Sequence, residues 1–146
     1  MIRLESRMAM KTALVHESLS EQIIGAAMTV LNELGPGLDE KLYENALIIE
    51  LTSRGLHVDQ QKSFSVKYKG RFIGKLVPDL IVNHLVIVDE KVVEHFTDTH
   101  LAQVLGYLAI TRLQLGLLLN FKFARLQWKR VVRSESVNES GVQDST

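Results

Sequence analysis

The stretch PDLIVNHLVIVDEK, residues 78–91, constrains the fold more than any other part of the chain. Two apolar runs flank a turn-like Asn83-His84. Along a strand, side chains alternate faces, so Leu85, Ile87, Asp89, Lys91 and Val93 share one side and Val86, Val88, Glu90 and Val92 the other. Both sides are apolar, which marks a strand covered on both faces and therefore a sheet held between layers. An unpaired charge there costs several kcal/mol, so Asp89 and Lys91 need partners or a metal. A two-residue turn at Asn83-His84 would set Asp79 opposite Val88, on the wrong face. A three-residue loop through Leu85, or a bulge, sets it opposite Asp89. The charges favour the second register.

The 146 residues, 46% of them hydrophobic, suffice for one compact domain. With no cysteine, disulfides and thiolate chemistry are excluded. No apolar run approaches the roughly 20 residues of a membrane span, and the first residues lack a signal-like apolar core, so no membrane partner and a cytoplasmic location are expected. Seventeen basic and seventeen acidic residues cancel, which excludes a strong overall field for nucleic acid. A local patch remains in NFKFARLQWKRVVR, residues 120–133, with five Lys or Arg and no acid; a solvated strand face is the competing reading.

SLSEQIIGAAMTVLNELG carries Ile23, Ile24, Ala27, Val30 and Leu31 at helical spacing, with Ser18 or Ser20 as caps and Gly35 as the stop. After Gly35-Pro36-Gly37, EKLYENALIIELTSRG predicts a second helix with Leu42, Ala46, Leu47 and Ile49 inward and Gly55 closing it. Residues 57–93 read as three strands with turns at Lys69-Gly70 and Asn83-His84. A third helix over about 97–112 starts at Thr97 or Asp98 and buries Leu101, Val104, Leu105 and Leu108. LQLGLLLNF and RLQWKRVV supply two more strands. The order ααβββαββ predicts an α/β fold, a mixed central sheet flanked by helices. Residues 1–15 read as an N-terminal extension expected to be partly disordered, 16–133 as the domain, and 134–146 as a polar C-terminal tail.

Two carboxylates brought close repel and raise a pKa unless a cation sits between them, so Asp79 and Asp89 together suit an oxygen-ligand site for Mg²⁺ or Mn²⁺. Lys91 is placed to position or deprotonate an attacking water, or to stabilise charge on a phosphate. A purely structural Asp–Lys pair is the competing reading. Glu90 points away, as a surface or helix-facing charge. Glu40 and Glu44, at i and i+4, repel by roughly 0.2–0.5 kcal/mol unless something positive faces them; compensation of the helix N-terminus explains them equally well. His100, Gln103 and Tyr107 share a helical face, as a capping and core-edge network or as substrate-positioning groups. His16, His57, His84 and His95 show no ligand spacing.

Pro78-Asp79, nine residues, then Asp89-x-Lys91 resembles the PD-(D/E)xK signature of the restriction-endonuclease-like nuclease superfamily. The corner Gly37-Leu38-Asp39-Glu40-Lys41-Leu42-Tyr43 resembles the pattern that names the GxxExxY protein family, and LGPG, GKLVPDLIV, HLVIVDEKVVE and HLAQVLGYL follow that family's order over roughly residues 17–132. The resemblance implies a restriction-endonuclease-like fold and a metal-dependent nuclease acting on DNA or RNA. Asp79, Asp89 and Glu40, with the carbonyl of residue 90, would hold Mg²⁺ or Mn²⁺; Lys91, Asp79 and Asp89 would be catalytic. Gln103 and Tyr107, matching a Gln-x-x-x-Tyr motif, and Glu44 would position substrate, while Lys122, Arg125, Lys129 and Arg130 would contact nucleic acid. Two positions depart from the pattern: Asp89 stands where Glu is usual, and Glu90 where an apolar residue is common. These departures support an alternative, a catalytically inactive nuclease-fold binding or assembly module. A homodimer with the charges at its interface is a third reading.

Overall fold

The computed structural model describes residues 14–133 and 140–144. Most of the expected extension and most of the expected tail lie outside these residues. The chain runs α1 (Glu17–Leu34), α2 (Glu40–Ser53), β1 (Val58–Gln60), β2 (Phe64–Tyr68), β3 (Arg71–Leu76), β4 (Leu80–Val82), β5 (Val86–Lys91), α3 (Asp98–Thr111), β6 (Leu115–Asn120), β7 (Gln127–Arg133) and β8 (Ser140–Asp144). One six-stranded sheet has the order β1-β4-β5-β6-β7-β8, and β2-β3 form a separate ribbon. Among the described residues only β5 and β6 pair in parallel, as their crossover through α3 demands, and the other pairs are antiparallel.

The sheet divides two cores. Val86, Val88, Leu115, Leu117 and Leu119 pack under α1 and α2, whereas Ile81, Ile87, Leu118 and Val131 pack under α3 through Val104 and Leu108. The alternation read from LVIVDEK is therefore real, with both faces of β5 buried. Gly116 brings α3 close: a Cβ there would collide with Val104.

Four expectations need correction. Where the spacing predicts three strands over 57–93, there are five, because Gln61 turns into left-handed backbone (φ 55°) after β1 and Pro78-Asp79 interrupts the chain after β3. Helix α1 is not capped by Ser18 or Ser20; His16 occupies the cap in left-handed conformation without a side-chain bond, and the Ser20 hydroxyl donates to the Glu17 carbonyl (2.9 Å). In α2, Leu42 and Ile49 face solvent, Ile49 at 72% exposure, while Tyr43, Glu44, Leu47 and Leu51 turn inward. Finally, Ser140–Asp144, within the segment read as a tail, pairs with β7 as an edge strand.

The glycine corner is fixed by Tyr43. Its ring stacks on Phe121 at 4.7 Å, its hydroxyl donates to the Gly35 carbonyl (2.7 Å), and it accepts from the Leu38 N–H (3.2 Å). Gly37 at φ 106° takes the turn that a side chain would resist. The corner thus delivers the start of α2, and with it Glu40 and Glu44, to one end of the sheet.

Candidate active site

The β4–β5 connection contains Asn83, His84 and Leu85, with Val82 opposite Val86 and Leu80 opposite Val88. This three-residue loop is the register that the charges favoured. One step beyond Leu80 and Val88 the ladder brings Asp79 to Asp89, so that the two carboxyls interact directly. Two carboxylates held this close in a buried setting favour protonation unless a cation sits between them. Burial pushes the Asp89 carboxyl up to about 7, with Lys91 opposing and Asp79 reinforcing the rise. Asp79 is raised by burial and by Glu44, with Asp89, Gln61 and Lys91 opposing.

Lys91 lies one strand step further on the same face. Its Nζ stands 3.4 Å from Asp89 Oδ1 and donates to Gln103 Oε1 on α3 (3.1 Å). Tyr107, one turn along the same helix, has its hydroxyl pKa raised by burial and by the charges of Asp89 and Asp79. His100 belongs to the cap rather than to the polar cluster: Thr97 N–H donates to its Nδ1 (3.0 Å) and its own N–H donates to Thr97 Oγ1 (3.3 Å).

Helix α2 closes the site from the other side. Glu40 is exposed at the start of the helix; partial desolvation raises its pKa, Lys91 and the Val92 backbone oppose, and Asp79 and Glu44 add to the rise. Glu44 is buried, and its Oε2 gathers Lys41 Nζ (3.1 Å), Gln60 Nε2 (2.8 Å) and Gln61 Nε2 (3.1 Å). Something positive and several amides do face the two glutamates.

Glu90 is the departure from expectation. It faces the helices, as one of the two readings held, but it is not at the surface: it is 1% exposed, and neither carboxylate oxygen has a hydrogen-bond partner. Glu44, Asp79 and Glu90 each offer an oxygen within 4.8 Å of the others. Burial, followed by Asp79, Glu44 and Asp89, raises the Glu90 pKa well above the usual carboxylate value. Asp79 thus touches carboxylates on both faces of the sheet. Gln60, Gln61 and Glu90 were missed as contributors; only the unusual acid in an otherwise apolar alternation hinted at Glu90.

The residues expected to touch nucleic acid divide. Arg130 is 4% exposed and donates to Ser20 Oγ (2.6 Å) and the Val15 carbonyl (2.6 Å), pinning β7 to the start of α1. It is therefore a structural residue and no phosphate contact, because alternation along β7 turns it into the core beneath α1. Lys129 is half-buried, on the opposite face of β7. Lys122 and Arg125 are exposed in the β6–β7 loop, which the Phe121 N–H to Lys91 carbonyl bond (2.9 Å) ties to the Lys91 end of β5; Lys122 also pairs with Glu94 at 3.6 Å. A second basic surface was not anticipated. The β2–β3 ribbon exposes Lys67, Lys69, Arg71 and Lys75 together with Tyr68, Phe72 and Ile73, and residues 61–77 contain no acid.

No helix among the described residues is long and apolar enough to cross a membrane. No curated protein and no solved structure matches the chain significantly. Residues 17–131, spanning the glycine corner, the acidic hairpin, α3 and the β6–β7 pair, match the family model described as the PD-(D/E)XK nuclease superfamily; the chain belongs to that superfamily, with the mixed sheet and flanking helices of a restriction-endonuclease-like fold.

Proposed function

We propose that this chain is a metal-dependent nuclease of the GxxExxY type, hydrolysing phosphodiester bonds of DNA or RNA. The observation that carries the reading is the meeting of Asp79 and Asp89 at the end of the hairpin with Lys91 beside them. The donor set suits a hard divalent ion, Mg²⁺ or Mn²⁺, because every candidate ligand atom is an oxygen. Its fit rests on two features: Asp89 Oδ2 is buried without a hydrogen-bond partner, and burial together with Asp79 raises the Asp89 pKa, which a cation would offset. Asp79, Asp89 and Glu40 would hold the ion. When bound, it supplies positive charge against the phosphate and makes water easier to activate.

The chain's own groups account for the rest. Lys91, steadied by Asp89 and Gln103, donates toward the attacking water or a phosphate oxygen. Gln103, which also holds Lys91, together with Tyr107 and Glu44 would position the substrate. The Lys122–Arg125 loop and the basic β2–β3 ribbon contact phosphates without reading sequence. A catalytically inactive binding module is the second reading, and the observation favouring it is Glu90, a fourth carboxylate buried among the others. End-labelled single- and double-stranded DNA and RNA, incubated with Mg²⁺, Mn²⁺ or chelator, separate the two. The nuclease reading expects cation-dependent cleavage of at least one substrate, lost in a folded Lys91→Met variant. Cleavage of none of the four, or equal cleavage by Lys91→Met, would overturn it.

A further inference from the structure

The opposite end of the hairpin carries a second group of metal-ligating side chains, unrelated to the nuclease centre. His57 immediately precedes β1, Asp59 lies two residues on along the same strand face, and His84 stands in the β4–β5 loop. Their pairing is invisible in sequence spacing because it arises across the β1–β4 ladder, where Val58 opposes Val82. His57 Nε2 lies 3.2 Å from Asp59 Oδ1, and His84 Nδ1 lies 3.4 Å from Asp59 Oδ2. One nitrogen from each histidine and one aspartate oxygen fall within 4.8 Å of one another.

Several features hold this trio in place. The imidazoles stack with centroids 4.5 Å apart. Asn83 clamps the loop to the strand: its N–H donates to the His57 carbonyl (2.8 Å) and its Oδ1 accepts from the His57 N–H (2.8 Å). Asn83 and His84 both sit in left-handed backbone, at φ 52° and 60°. Two successive left-handed residues are what a tight hairpin turn requires, and Asn and His adopt them more readily than most side chains. Asp59 Oδ2 is buried and within ion-pair reach of His84, yet lacks hydrogen-bond geometry to any group. It is an acceptor without a donor, facing two imidazoles.

We infer that His57, Asp59 and His84 form a binding site for a transition-metal ion of the Zn²⁺ type, which staples the short edge strand β1 to the hairpin turn. Two imidazoles and one carboxylate suit Zn²⁺ and exclude Mg²⁺, which takes oxygen ligands. In a zinc tetrahedron with bonds of about 2.0–2.1 Å, ligand atoms stand about 3.3 Å apart. The observed 3.2 and 3.4 Å contacts run to different carboxylate oxygens, and one oxygen with a nitrogen of each ring lies within 4.8 Å, so a modest turn of the side chains closes the set on one ion. Both imidazoles are exposed, so their rings can turn the remaining distance, and the open side leaves the fourth position to water or to a donor from a partner. At about 3.3 Å per strand residue His84 lies on the order of 15 Å from Asp89 along β5, while Asp59 opposes Ile81, two residues before which stands Asp79.

Titration of the full chain with Zn²⁺ in excess Mg²⁺ tests the site, since Mg²⁺ competes at the carboxylate centre and not here. Wild type should bind one equivalent, and Co²⁺ in its place should give the visible absorption of a low-coordinate site. His84→Asn keeps a residue tolerant of left-handed backbone, and His57→Gln keeps a polar side chain; each should weaken Zn²⁺ binding by roughly tenfold or more and abolish the Co²⁺ bands. Asp89→Asn should leave both readouts unchanged. Absence of Zn²⁺ binding by wild type, or binding by both histidine variants as tight as wild type, would overturn the inference.

Discussion

Replacing Glu90 by leucine should stabilise the metal-free protein, and increasingly so as pH rises. The carboxyl is 1% exposed, has no hydrogen-bond partner and faces Asp79, Glu44 and Asp89. Burying even the neutral acid without a partner costs about 1–3 kcal/mol by protein mutational measures, and Leu adds apolar contact beside Val88 and Leu119. Ionisation adds to this. The folded-state pKa of Glu90 is raised, so its protonated form is favoured by folding. The stability linked to that proton is fully present below the unfolded value near 4.5 and is lost as pH rises toward the folded pKa. Across that window wild type should lose about 1.4 kcal/mol per pH unit through this one group, beyond what Asp89 loses up to about 7. Urea unfolding of wild type, Glu90→Leu and Glu90→Gln in chelator at several pH values between 5 and 8 measures it. The expected gain for Glu90→Leu is about 1–3 kcal/mol at pH 5, widening with pH. Glu90→Gln should share the flattened pH dependence but not the gain at pH 5, since an amide is equally unpartnered. A Glu90→Leu variant less stable than wild type at pH 7, or a difference that does not change with pH, would refute the reasoning.

Gln103→Ala should leave folding intact and lower the rate of any cation-dependent cleavage about 10–100-fold, chiefly in kcat, because it frees Lys91 from its partner on α3. Arg130→Ala should destabilise by about 2–4 kcal/mol in thermal or urea unfolding, taking a donor from Ser20 and from the Val15 carbonyl, while nucleic-acid affinity corrected for folded protein stays unchanged. Lys122→Ala and Arg71→Ala, both exposed, should each weaken nucleic-acid binding similarly across sequences and reduce the slope of log affinity against log salt by about 1 in fluorescence anisotropy.

What was legible in the sequence was what alternation and parity determine. LVIVDEK sorts its side chains by a period of two, and the structure keeps that sorting, with Ile87 under α3 and Val86 and Val88 under α1 and α2. Parity also decided the loop, because only an odd number of loop residues brings Asp79 to Asp89. Helix α2 was harder. Leu42 and Ile49 are the obvious inward residues, yet the helix is turned so that Tyr43 and Glu44 face in, and the reason is tertiary: Tyr43 latches the glycine corner and Glu44 meets the amides of Gln60 and Gln61. Arg130 misled for a related reason. A basic stretch on a strand alternates between two environments, and a list of cations does not say which ones a neighbouring helix covers. The His57–Asp59–His84 group could not be read from spacing at all, since it exists only once β1 pairs with β4.

The central claim, that the hairpin carboxylates form a cation site, is tested most directly by unfolding wild type and Asp89→Ala in chelator, in Mg²⁺ and in Mn²⁺. In chelator the variant should melt no lower than wild type, because removing Asp89 relieves its repulsion with Asp79. Added cation should raise wild type alone, by about 2.7 kcal/mol when it stands at roughly 100 times its dissociation constant. If cation leaves wild type unmoved and Asp89→Ala simply melts lower, Asp89 is a structural partner of Lys91 and the hairpin is no metal site.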